Sequence, residues 1–165
     1  MNYVILGAGP AGVTAAETIR QHDKSATITL VSGDGEPPYS RMAIPYLLHG
    51  DIKEQGTYLR QQDGHYARLG ITVKLARAGG IDTAAKTVFL SGGEALSYDK
   101  LLIATGASPI IPKVPGSNLE GVSTCWTLAD AREIAKRAGK GQPVVLVGAG
   151  GVGKTTLAAA LALQS

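Results

Sequence analysis

Cysteine is almost missing from this chain of 165 residues: Cys125 is the only one. A single thiol can form neither an intrachain disulfide nor a Cys-x-x-Cys redox pair, which excludes a disulfide scaffold and a dithiol centre. Such a chain suits a reducing compartment, and a cytoplasmic location is expected. Charge is also scarce. Charged residues make up 18% of the chain and the net charge is +3, with no run of Lys or Arg. That composition excludes a solvated, disordered polypeptide and gives no basic stripe for nucleic acid. No basic leader precedes Met1-Asn2-Tyr3-Val4-Ile5-Leu6, which runs straight into an apolar strand and so does not read as a signal peptide. The apolar stretch near the C-terminus is interrupted by Lys154 and by glycines, so no membrane span is expected. His22, His49 and His65 are scattered without metal-ligand spacing.

Glycine, by contrast, is abundant. Several of the 22 glycines sit in clusters directly after apolar runs, where nucleotide-binding loops need them. Tyr3 to Leu6 reads as a buried strand stopped by Gly7. Pro10 to His22 carries Val13, Ala16 and Ile19 at helical spacing, and Ala26 to Val31 reads as a second strand. Strand, glycine turn, helix, strand is a βαβ unit, with a right-handed crossover expected. Further on, Arg41 to Leu48 is expected to be partly helical, and the polar stretch Thr57 to Leu69 to hold another helix. Ile71 to Leu75 is strand-like. Ile81-Asp82, Thr87 to Leu90 and Ala95 to Tyr98 read as short antiparallel strands, with a hairpin turn at Ser91-Gly92-Gly93. Lys100 to Ala104 is a buried strand. Pro109, Pro112 and Pro115-Gly116 mark a boundary. Leu128 to Ala138 reads as a helix, Val144 to Val147 as a strand, and the remainder as a glycine loop and helix.

Gly7-Ala8-Gly9-Pro10-Ala11-Gly12 matches G-x-G-x-x-G. The first glycine makes the turn out of the strand, the second lets backbone approach a pyrophosphate, and the third packs helix on strand. The helix N-terminus, with Pro10 and Ala11 in its first turn, then offers amides and a positive dipole end to phosphate. A tight βα turn without ligand is the alternative. The same fingerprint places an acid about 20 positions on, for ribose hydroxyls. Ser32 stands near that place, and Asp34 and Glu36 just beyond it; either acid could serve, or both are loop acids.

These residues, with Pro38-Tyr39-Ser40-Arg41 and Leu101-Leu102-Ile103-Ala104-Thr105-Gly106-Ala107-Ser108-Pro109, resemble the flavoproteins with two dinucleotide-binding domains. That group includes the pyridine nucleotide–disulfide oxidoreductases, here nearest the branch serving ferredoxins, rubredoxins or nitrite reduction. Cys125-Trp126-Thr127-Leu128-Ala129-Asp130-Ala131 looks like the family's linker helix. The resemblance implies an α/β, Rossmann-like FAD-binding domain over residues 1–112 with an antiparallel hairpin excursion. A linker at 113–142 and the first βα unit of an NAD(P)H-binding domain at 143–165 would follow. It implies FAD as cofactor and NAD(P)H as co-substrate, with electrons passing to an unidentified small molecule or redox protein. Ala104, Thr105 and Gly106 would lie close to the flavin, and Arg41 would face cofactor phosphates or flavin unless it is an ordinary exposed arginine. Met42 stands where thiol-active relatives place a cysteine, so disulfide chemistry is not expected. No side chain offers itself as an acid–base catalyst. The family's chains are more than twice as long, so parts of both sites are expected to lie in segments beyond this sequence.

The second loop, Gly148-Ala149-Gly150-Gly151-Val152-Gly153, repeats G-x-G-x-x-G. In the family this position, with Gly148, Gly150 and Gly153, holds the NAD(P)H pyrophosphate. Together with Lys154-Thr155 the same letters match G-x-x-x-x-G-K-[ST], a P-loop whose amides cradle phosphates and whose Lys reaches the β/γ-phosphates. A ligand-free turn is a third reading, and an inactive truncated domain a third outcome for the chain as a whole.

Overall fold

The computed structural model describes residues 1–138 and 142–148 together with Lys154, Leu157 and Ala158. The chain divides into two compact units, one of Met1–Ser40 with Tyr58–Ala107, the other of Arg41–Thr57 with Ser108–Ser165.

The first unit is built on β1 (Asn2–Leu6), α1 (Pro10–His22), β2 (Thr27–Ser32), α3 (His65–Arg68), β3 (Ile71–Leu75), β4 (Ala78–Asp82), β5 (Thr87–Leu90), β6 (Ala95–Ser97) and β7 (Lys100–Ile103). Four strands form a parallel sheet in the order β3-β2-β1-β7, and β4-β5-β6 form a separate antiparallel sheet. Burial on both faces explains why β1 reads as a continuous apolar run; β2 alternates with Thr27 and Thr29. Ile5, Ile28 and Leu30 pack with Val13 and Ala16 of α1. Val4, Leu6 and Val31 point the other way and pack with Val88 and Leu90 of the antiparallel sheet. Adjacent residues of one strand thus serve two cores, as the period of two requires.

Pro10 opens α1, where its missing N–H costs nothing. At the other end, Arg20 ties two connections together, the one after α1 and the one before β3. Its Nε donates to Leu69 O (2.6 Å), one Nη to Asp23 O (3.1 Å) and Lys24 O (2.8 Å), and the other to Ala26 O (2.6 Å) and Gly70 O (3.1 Å). Only a guanidinium offers five donors in a fixed fork. Arg20→Leu is therefore expected to lower stability by about 2 kcal/mol or more, with Arg20→Lys recovering less than half. Chemical denaturation of parent and variants checks this, and an unchanged midpoint for Arg20→Leu contradicts it.

Residues 57–69 hold the expected helix, but only over the four residues of α3. Arg60 (φ 61°) and Gly64 (φ 67°) both take left-handed backbone, which a helix cannot contain, and only α3 is helical. Glu17 of α1 holds this segment. It accepts two bonds from Arg60 (Nε and Nη2, 2.7 Å each) and contacts His65 Nε2 at 2.8 Å. The Arg60 hydrogen bond holds the Glu17 carboxyl below its usual range against the opposing effect of burial, with His65 adding to it. Next to it, burial first and the Glu17 charge second push the Tyr66 phenol up to about 12, and its OH donates to Leu59 O at 2.9 Å.

The second unit contains α2 (Ile44–His49), preceded by a 3-10 turn at Arg41–Ala43, and α4 (Leu128–Arg137). Pro45 lies in the first turn of α2, and Gly50 (φ 89°) closes it, its N–H donating to Tyr46 O and Leu47 O. A capping box of Thr127 and Asp130 starts α4. Ile44, Leu48, Leu128 and Ala131 are buried where the two helices meet. The strand expected at Val144–Val147 is not formed: the described residues 142–148 carry no regular structure, and Val144, Val145 and Val147 are exposed. A strand exists only by pairing, and no described strand pairs with these residues.

Candidate functional site

Strand order places the candidate site. From β1 the chain moves outward through β2 and β3, then returns to the opposite side of β1 as β7. In open parallel sheets the crevice beyond the carboxyl ends of two such strands is where ligands bind. Gly7 leaves β1 there, and Ala104, Thr105 and Gly106 leave β7 there. Gly7 N donates to Val31 O (2.9 Å) and Ala104 N to Leu6 O (2.7 Å).

The three glycines of the loop do three different things. Gly7 has φ 110°, and a Cβ on it would lie 2.2 Å from Ala104 O. Gly12 is buried in α1, where a Cβ would lie 1.9 Å from Gly7 O and 3.3 Å from a Leu30 methyl. Both are glycines because the protein's own backbone fills the space. Gly9 is different. Its φ of −77° suits any residue, and a Cβ there would meet no heavy atom within 4 Å. Fold and backbone leave that position unconstrained, yet it carries no side chain. It is the N-cap of α1, and no side chain caps the helix and no acid stands in its first turn. Pro10 and Ala11 beside it are exposed. The first turn's amides therefore face an open cradle beside a positive dipole end.

At the end of β2, buried Ser32 donates its hydroxyl to Glu36 O (2.7 Å). Buried Tyr39 donates to Asp34 Oδ2 (2.8 Å) and pairs antiparallel with Tyr58. These links fix the loop that carries both acids; Asp34 is exposed and Glu36 half-buried. The Tyr39–Asp34 bond had no signal in the sequence. Gly106 adopts φ 70°, Thr105 is exposed and Ala104 half-buried. The structure thus gathers Gly7, Gly9, Pro10, Ala11, Gly12, Ala104, Thr105 and Gly106 at the strand ends, with Asp34 and Glu36 in the loop after β2. Arg41 belongs to the second unit.

Two residues carry the thiol question. The Met42 side chain is exposed. Cys125 is half-buried, and burial first, then the Asp130 charge, push its thiol up, away from the thiolate that reactive cysteines need. Of the second loop, Gly148 is described and exposed; its carbonyl accepts from Lys154 Nζ at 2.7 Å. Gly150 and Gly153 lie outside the described residues. Among the described residues no helix is long and apolar enough to cross a membrane.

The family model described as "Pyridine nucleotide-disulphide oxidoreductase" matches residues 1–164. The chain belongs to this family. Within it, the chain is 34% identical over 152 residues to the NADH-dependent phenylglyoxylate dehydrogenase subunit epsilon of Aromatoleum evansii, covering 92% of the chain and 36% of that protein. It is 35% identical over 161 residues to the NADH oxidase of Methanocaldococcus jannaschii, covering 93% and 36%. Among solved structures it is similar to the water-forming NADH oxidase from Lactobacillus brevis bound to NADH, with TM-score 0.84, 26% identity and coverage of 99% of this chain and 37% of that one. The chain therefore spans little more than a third of the relatives it matches.

Proposed function

We propose that this chain binds FAD at the first glycine loop and forms the front part of an NAD(P)H-dependent flavoprotein oxidoreductase. The observation that carries the reading is the open space at Gly9, at the N-cap of α1, where no contact within the fold calls for a glycine. In this reading residues 1–112 form the FAD-binding domain, 113–142 a linker, and 143–165 the start of the NAD(P)H-binding unit. Gly9 and the α1 amides hold the pyrophosphate, with Pro10 and Ala11 lining it, and Gly7 and Gly12 keep the turn tight enough to present them. Asp34 or Glu36 accepts from the ribose hydroxyls. Ala104, Thr105 and Gly106 let backbone come close to the flavin side. When bound, FAD supplies the hydride and electron chemistry that none of these side chains could supply. The residues bind, orient and shield.

The electron acceptor belongs to the same proposal. Relatives include the rubredoxin-NAD(+) reductase of Pseudomonas putida and a reductase solved in covalent complex with putidaredoxin. A redox protein or a small molecule taking electrons from the flavin fits that company, in the cytoplasm. The test is direct: FAD is added to the purified protein, free cofactor is removed, and NADH is added without oxygen. Retained flavin whose visible band bleaches supports the proposal. Colourless protein contradicts it.

The second loop has one observation in favour of a P-loop: Lys154 folds back onto the carbonyl of Gly148, the motif's first residue. We place NAD(P)H there, on Gly148, Gly150 and Gly153, because the family match runs through this loop. Backbone amides then bear the phosphates, and Lys154→Ala weakens NADH binding by less than about tenfold. Separate titrations of NADH and ATP–Mg²⁺ into parent and variant check this. Tight ATP binding that depends on Lys154, without NADH binding, overturns it.

A further inference from the structure

Arg60 holds a backbone conformation that L residues rarely adopt. Its φ is 61°, in the left-handed region where a Cβ crowds the following carbonyl. Such an outlier persists only where its surroundings hold it. Glu17 of α1 does so, accepting from Arg60 Nε and Nη2 at 2.7 Å each. Exposed ion pairs are often worth little. Here the Glu17 side chain is only 15% exposed and both bonds of the guanidinium fork are made. Immediately before Arg60, Leu59 N donates to Pro38 O (2.8 Å), Leu59 O accepts from Tyr66 Oη (2.9 Å), and Tyr58 pairs antiparallel with Tyr39. Tyr39 in turn donates its hydroxyl to Asp34 Oδ2 (2.8 Å). A continuous path of bonds therefore runs from α1 to the loop after β2 that bears Asp34 and Glu36, and all of it lies within the first compact unit.

Glu17 lies about two turns along the same helix whose first amides face the open space at Gly9. β1 and β2 pair in parallel, Leu6 beside Val31, so the loops that follow them leave the sheet side by side. The clamp thus refers the two acids and the phosphate-facing amides to one rigid element. A loop that must order itself around a ligand loses freedom on binding, and a loop braced beforehand does not. We infer that Arg60, clamped by Glu17, is a positioning residue: it holds the loop carrying Asp34 and Glu36 against the ribose hydroxyls of a nucleotide diphosphate, on the reading that the chain binds FAD at the first glycine loop. The clamp thereby sets selectivity for the ribose and leaves the hold on the phosphates alone. A lysine at position 60 would offer a point charge in place of the fork and would brace the loop less well.

The experiment titrates ADP and 2′-deoxy-ADP calorimetrically into the full chain and four variants: Arg60→Asn, Arg60→Lys, Glu17→Gln and the double change R60N/E17Q. Asparagine tolerates left-handed backbone, so Arg60→Asn removes the clamp and keeps the turn. The Glu17 carboxylate then retains its contact with His65 Nε2 (2.8 Å). The parent is expected to prefer ADP by about tenfold, the worth of one hydrogen bond to a charged acceptor. In Arg60→Asn and Glu17→Gln that preference should fall to about twofold or less, because ADP binds more weakly while 2′-deoxy-ADP binds much as it does to the parent. Arg60→Lys should lie between. The double variant should match the single ones, since either change already opens the clamp. The inference is overturned by a preference that survives in both single variants, by an equal loss of both nucleotides, or by full additivity in the double variant. A parent that binds the two nucleotides alike also overturns it, and leaves the hold on the pyrophosphate standing. A parent that binds neither overturns the underlying reading, and the parent titration alone tells these results apart.

Discussion

Gly9→Val removes FAD binding and leaves the fold standing. The substitution meets no steric obstacle within the protein: a Cβ at this position has no heavy atom within 4 Å, and φ is −77°. The stability cost is that of a poorer N-cap, about 1 kcal/mol. The valine methyls instead enter the space in front of the α1 amides, where the pyrophosphate would approach the backbone. Affinity should fall a hundredfold or more, about 2.7 kcal/mol. Flavin-fluorescence titration gives the first quantity and chemical denaturation the second. Lost binding together with a lost fold would mean that Gly9 is structural after all, and unchanged binding would remove FAD from this loop.

Gly12→Ala gives the opposite pattern, although it changes the same six-residue motif. Its Cβ would sit 1.9 Å from Gly7 O, a backbone atom that cannot swing aside as a side chain end can. The start of α1 must lift from β1, and the core packing of its Val13 with Leu30 loosens with it. We expect a loss of about 3 kcal/mol or more, read as a fall in denaturation midpoint in protein without cofactor. Gly7→Ala should behave similarly, since it combines φ 110° with a 2.2 Å approach to Ala104 O. A Gly12→Ala variant as stable as the parent would show that the loop is looser than this packing implies. The two substitutions separate ligand space from packing space within one motif.

Much of this was legible in the sequence because it depends on neighbours along the chain. The apolar run at Tyr3–Leu6, the alternation over Ala26–Val31, the proline opening α1 and the glycine spacing all act locally, and they place the loop at a strand end. What was not legible depends on distant partners. The Tyr39 hydroxyl finds Asp34 only once the loop after β2 has closed. The fork of Arg20 spans carbonyls from residues 23 to 70. The polar stretch from Thr57 to Leu69 holds a helix as expected, but left-handed Arg60 and Gly64 confine it to α3. Val144–Val147 has the composition of a strand but no described partner to pair with. The G-x-G-x-x-G letters could not show that Gly9 differs from Gly7 and Gly12; that difference appears only when each missing Cβ is set against its surroundings.

The central claim is that the first loop holds the pyrophosphate and adenylate half of FAD. The measurement that tests it most directly is a competition titration of FAD against ADP and against riboflavin, followed by flavin fluorescence. ADP carries the groups that Gly9, the α1 amides and the acids after β2 would hold, and riboflavin carries none of them. The account predicts one FAD per chain, displaced by ADP and left in place by an equal concentration of riboflavin. FAD displaced by riboflavin but not by ADP, or no saturable FAD binding at all, would contradict it.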